Sequence, residues 1–105
     1  MDPLHLTTSR HNGTVTVAVS GELDIATTEL LRSHVLALLR EAGRARHAAV
    51  VIEVSRLSFI DAAGLGILVS VRNHARRQQT PLRIAGVTPA MRRLLRITGL
   101  DGHLA

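Results

Sequence analysis

Apolar residues recur along this chain with two different periods, and the switches between them divide it into elements. From Leu4 to Ser20 polar and apolar positions alternate, interrupted by His11-Asn12-Gly13-Thr14. Asn-Gly favours a tight hairpin turn because both residues tolerate positive φ, and Val15, Val17 and Val19 then share one face of the second strand. From Ala26 to Ala42 the period lengthens. Leu31, Val35, Leu38 and Ala42 make a helical stripe, and Gly43 supplies a stop. Ala48 to Val54 is almost continuously apolar and β-branched, the pattern of a central strand covered on both faces. Ser55 to Ile60 reads as a link. Asp61 reads as the N-cap of a helix reaching about Arg77, with Leu65, Leu68, Val71 and Ala75 buried. Thr80-Pro81 breaks the pattern and Leu82 to Ala85 is a short strand. Thr88-Pro89 opens a last helix with Pro at a tolerated position, and Gly99 closes it. This order predicts an α/β fold, a mixed sheet of about four strands begun by a hairpin and packed against about three to four helices. No repeat, low-complexity tract or linker interrupts the 105 residues, so one domain over 1–105 is expected.

Composition narrows the picture. Hydrophobic residues make up 46% of the chain and charged residues 20%, a globular balance rather than a disordered one. Phe59 is the single aromatic, so Leu, Val, Ile and Ala must build the core. The absence of cysteine excludes disulfides and thiolate metal sites. The first ten residues lack the features of a signal peptide, and no apolar run suits a membrane span, so a cytoplasmic protein is expected. The formal charge of +5 comes from 13 basic residues, all arginine, against 8 acids. Their scatter, with local clusters at Arg76-Arg77 and Arg92-Arg93-Arg96, fits solvated helix faces better than a nucleic-acid footprint.

Two strand-to-helix passages carry the most distinctive residues. The first is Val19-Ser20-Gly21-Glu22-Leu23-Asp24. The second is Ser55-Arg56-Leu57-Ser58-Phe59-Ile60-Asp61-Ala62-Ala63-Gly64-Leu65-Gly66. These passages, their spacing and the ending Ile97-Thr98-Gly99-Leu100 resemble the STAS domain of bacterial anti-sigma factor antagonists, a likeness that runs over nearly the whole chain. The resemblance implies a STAS-type sheet and a partner-switching role in transcription. In that family an unphosphorylated antagonist binds an anti-sigma factor, often a serine kinase whose ATPase domain is the partner, and frees a sigma factor. The kinase ends binding by phosphorylating a serine directly after the aspartate of the second passage. The implied contact residues are Ser20, Gly21, Asp24, Ser58, Asp61, Ala62, Ala63, Gly64 and Leu65, with no cofactor, metal, nucleic acid or membrane. The oligomeric state is left open.

This sequence departs from the family at the acceptor position, where Ala62 stands, followed by Ala63. Without a hydroxyl neither can be phosphorylated. Three explanations stay open: an antagonist that binds constitutively, one modified at another serine such as Ser58, or deliberate replacement of the acceptor. A second departure is the ending at Ala105, where family members usually continue through a further strand and helix.

Each marked residue also has a plainer reading. Asp24 and Asp61 would form a joint acidic surface, or each would simply cap its helix, a contribution of about 0.5–2 kcal/mol. Gly64 and Gly66 each cost about 1 kcal/mol in a helix, to be offset by close packing or by a partner. Gly64-Leu65-Gly66 is too short for a phosphate-binding loop. His5, His11, His34, His47, His74 and His103 show no ligand spacing and are expected at the surface. No Gly-x-Ser-x-Gly elbow supports a hydrolase, so no catalytic residue is assigned. The alternatives to an antagonist are a basic nucleic-acid-binding module, which lacks a stacking platform, and a STAS adaptor or nucleotide-sensing domain.

Overall fold

The computed structural model describes residues 2–45 and 48–104, without the side chains of 103 and 104. His47 and the His103 side chain therefore lie outside the described residues. Strands β1 (His5–His11) and β2 (Thr14–Leu23) form the expected antiparallel hairpin. Its turn is made by Asn12 at φ 49° and Gly13 at φ 82°, the pair of positive angles that matches strand twist. Helix α1 (Thr28–Ala42) carries the chain to β3 (Ala49–Ile60), and α2 (Ala62–Arg77) carries it to β4 (Leu82–Ala85). Helix α3 (Pro89–Thr98) and the short α4 (Asp101–Leu104) follow.

The sheet order is β1-β2-β3-β4, with β2, β3 and β4 parallel. Successive right-handed crossovers that advance in one direction leave their helices on one face of a sheet. The buried residues agree. Val17 and Val19 of β2 and Val50, Ile52 and Val54 of β3 join Leu31, Val35 and Leu39 of α1 and Leu65, Leu68 and Val71 of α2 in one aliphatic core. Each such side chain contributes roughly 1.5–3 kcal/mol on burial.

Several expectations are corrected. Strand β3 is buried only at alternate positions, because the helices cover one face; Val51 and Glu53, on the other, are half-buried. The supposed link from Ser55 to Ile60 is the continuation of β3, paired with Ser20–Leu23 after one register shift before Ser20 and across a second between Gly21 and Glu22. Each shift adds a residue to β3, so the inward positions change from Val54 to Leu57 and Ile60 and the alternation visible in sequence is lost. Gly43 is the C-cap of α1 as expected, though at φ −63° it is not left-handed, and the chain leaves the helix through three-residue bonds from Arg44 N–H to Glu41 O and Ala45 N–H to Ala42 O. Gly99 does take the left-handed cap at φ 74°. His34 is half-buried on α1, its Nε2 2.7 Å from Thr8 Oγ1.

Candidate functional site

Because β2 and β3 run parallel and Leu23 pairs with Ile60, the chain leaves both strands side by side, at the sheet end where α/β folds place their functional loops. Asp61 N–H donates to Leu23 O at 3.3 Å. The Asp61 carboxylate then bridges the two passages: Oδ1 accepts from Gly64 N–H at 2.8 Å, capping α2, and Oδ2 accepts from Ile25 N–H at 3.3 Å. Asp24 does not cap α1, whose N-cap is Thr27. Its Oδ1 instead accepts from Ala26 N–H at 2.9 Å and Thr27 N–H at 3.2 Å, closing a turn before the helix. Thr27 Oγ1 completes that turn by accepting from Asp24 N–H and donating to Glu22 O. Both carboxylates thus accept from backbone N–H groups and hold their loops in place.

What these loops present is small and apolar. Ala62 is exposed and Ala63 half-buried at the first turn of α2. Around the same sheet end Ile25 is 78% exposed, Leu30 54% and Phe59 50%, exposures unusual for large apolar residues in a chain whose other such residues mostly fill the core. Ser58 is exposed beside Phe59, and a shallow depression of about 220 Å³ runs from Ser58 and Phe59 to Met91 and Leu94 of α3.

The two helical glycines separate. A Cβ on Gly64 would stand 2.6 Å from Leu23 O and 2.9 Å from Ile60 Cγ1, so only glycine lets α2 lie this close to β2 and β3. A Cβ on Gly66 would meet nothing within 4 Å, and no intrachain packing offsets that glycine. The residues of the implied contact set lie at different depths. Leu65 is fully buried and Gly64 is covered, so they form the floor of the site. Gly21 sits at φ +89° beneath Pro3, whose carbonyl oxygen any Cβ would strike, and Ser20 pairs with Arg56 on the open sheet face. Ile25, Leu30 and Phe59 are not among the contact residues that the sequence implies; only Leu30, off the buried stripe of α1, carried a signal in its periodicity.

A family model described as Mlab, STAS domain matches residues 6–105. The chain belongs to the STAS domain family. Among STAS relatives, it is 30% identical over 97 residues to an anti-sigma-B factor antagonist of Staphylococcus epidermidis, covering 92% of this chain and 86% of that one. It is 29% identical over 98 residues to an anti-sigma F factor antagonist of Paenibacillus polymyxa, covering 92% and 80%. The crystal structure of an anti-sigma factor antagonist from Mycobacterium paratuberculosis superposes with a TM-score of 0.80 at 29% identity, covering 98% of this chain and 84% of that one. The four-stranded mixed sheet with its leading hairpin is thus the STAS fold that the residues imply.

Proposed function

We propose that this STAS domain is an anti-sigma factor antagonist, a binding protein rather than an enzyme, that engages a serine-kinase type of anti-sigma factor through the surface around Ala62. The observation that carries this reading is the first turn of α2. It is exposed, held rigidly by Asp61, flanked by Ile25 and Phe59, and occupied by alanines where the family's acceptor hydroxyl would stand. Such a surface suits burial against a protein partner, since the buried centre of an interface is more apolar than its rim and depleted of charge. On this reading the domain, acting as one unit over 1–105, binds without being switched off by phosphorylation at Ala62. Ser58, exposed nearby, is one hydroxyl at this surface.

The test is affinity capture from the cytoplasm of the native cell, followed by calorimetry with the captured anti-sigma protein and incubation with labelled ATP. Capture of a kinase-type ATPase that binds but leaves the chain unlabelled is the expected result. Label on Ser58 or Ser55 would remove constitutive binding from the proposal, and failure to bind any anti-sigma protein would remove the antagonist role.

A further inference from the structure

Strand β1 stands first in the sheet order, and beyond it the described residues supply no further strand. The hairpin fixes which of its backbone groups face that edge. In a two-residue turn with positive φ at both central residues, the flanking His11 and Thr14 exchange hydrogen bonds, and bonded pairs then recur at every second residue. His5, Thr7, Ser9 and His11 therefore bond to β2, while the N–H and C=O groups of Leu6, Thr8 and Arg10 point away from it. Side chains alternate between the two faces. Thr8 lies on the helix side, its Oγ1 2.7 Å from His34 Nε2, and Thr7 and Ser9 are exposed on the uncovered side. Asp2 keeps to β2, its carbonyl oxygen accepting from Glu22 N–H at 3.2 Å, so the described residues before β1 leave the edge uncovered.

An open edge invites pairing with another chain, and folded proteins usually blunt it with charge, proline, a bulge or shortness. β1 is seven residues long, pairs with β2 without a register shift and contains no proline. Its one permanent charge, Arg10, is drawn toward α1 by Glu41 at 3.0 Å. The strand is also complementary to itself. An antiparallel copy aligned so that all seven residues pair puts Thr8 opposite Thr8 at a two-fold axis, Thr7 opposite Ser9, Arg10 opposite Leu6 and His5 opposite His11. The outward groups of Leu6, Thr8 and Arg10 then fall in bonding register, with two bonds for each opposed pair. Hydroxyl groups meet on the uncovered side, a favourable cross-strand pairing. Arginine faces leucine, so with histidine neutral no like charges are opposed.

We infer that the edge of β1 is a self-association surface, where a second copy of this chain adds its own β1 antiparallel about a two-fold axis at Thr8 and joins the two sheets into one. Because the paired strands run in opposite directions, the two Ala62 surfaces lie toward opposite ends of the joint sheet. The experiment is sedimentation equilibrium of the whole chain over a series of concentrations, with amide hydrogen exchange followed at the lowest and the highest. A reversible monomer–dimer equilibrium is expected. Exchange at the Leu6, Thr8 and Arg10 amides should slow as concentration rises, whereas the Thr7 and Ser9 amides, already bonded to β2, should change little. Thr7→Lys with Ser9→Lys sets ammonium groups of the two copies directly opposite and should weaken dimerisation at least about tenfold. Mixing that variant with a Thr7→Glu, Ser9→Glu variant should restore association as a mixed dimer. Both pairs of substitutions fall on exposed positions, and thermal melts establish that the variants fold. A monomer at every concentration, a dimer that the lysine pair leaves unchanged, protection confined to other segments, or failure of the mixed pair to associate would each overturn the assignment.

Discussion

Asp61 serves two neighbours with one carboxylate, capping α2 through Oδ1 and steadying the start of the α1 loop through Oδ2. Loss of a capping side chain costs about 0.5–2 kcal/mol, and here a second backbone N–H loses its partner as well. Asp61→Ala should therefore lower the melting temperature more than Asp24→Ala, whose carboxylate serves only the turn to Thr27. A larger loss from Asp24→Ala would contradict the bridging role. Ala62→Glu separates folding from binding. At the helix N-terminus the new carboxylate gains about 0.3–1 kcal/mol from the dipole, so the fold should tolerate it. In a complex the same charge would be buried unpaired near Asp61, a cost of several kcal/mol. Affinity for the anti-sigma partner should fall at least about tenfold, or 1.4 kcal/mol, with the Ala62→Gln control separating bulk from charge. Full-strength binding by the Glu variant would move the contact surface elsewhere.

On the scale of elements, α2 is positioned by what Gly64 lacks. Gly64→Ala gains helix propensity of about 1 kcal/mol but drives a methyl into Leu23 O and Ile60, and overpacking of this kind costs about 1–3 kcal/mol. Gly66→Ala meets open space and should only gain. Opposite shifts in melting temperature are expected, and a stabilised Gly64→Ala variant would show that α2 can move off the sheet without penalty. The hairpin, both long helices and the Asp61 cap were legible in sequence because each rests on local chemistry: turn angles, helical spacing, a carboxylate before a helix. The far half of β3 was not. Its two register shifts exchange inward and outward positions between Val54 and Ile60, so no constant period marks it as a strand. Nor could periodicity reveal that Val51 lies on the uncovered face, since a β-branched residue suits either. Nor does the resemblance give depth: of the motif residues, half-buried Gly21 lies beneath Pro3 and Leu65 lies in the core.

Across the whole molecule, charge opposes what the aliphatic core provides. The chain holds 13 arginines against 8 acids, and the pairs Arg10–Glu41 and Arg32–Glu29 among the described residues are exposed, a class that contributes about 0–1 kcal/mol each. A net positive charge of this kind destabilises the compact state by self-repulsion, and it grows as carboxylates take up protons. Glu53 is where this bears most directly on the sheet. Its carboxylate accepts from Ser55, with the backbone N–H at 2.7 Å, and lies in the fields of Arg56 and Arg83. These contacts outweigh partial desolvation and hold its pKa below the ordinary carboxylate value. A group with a depressed folded-state pKa stabilises the fold above its unfolded value of about 4.3, and that contribution disappears as pH falls through the lower folded value. Glu53→Gln keeps the size but not the charge. The variant should melt earlier than the parent at neutral pH, and the difference between them should narrow as pH falls from about 5 to about 3. Thermal melts of both proteins across that range provide the measurement. A difference that stays constant with pH would mean that Glu53 acts by filling the space beside Gly86, where a Cβ would stand 2.5 Å from its Oε1, and not through its charge.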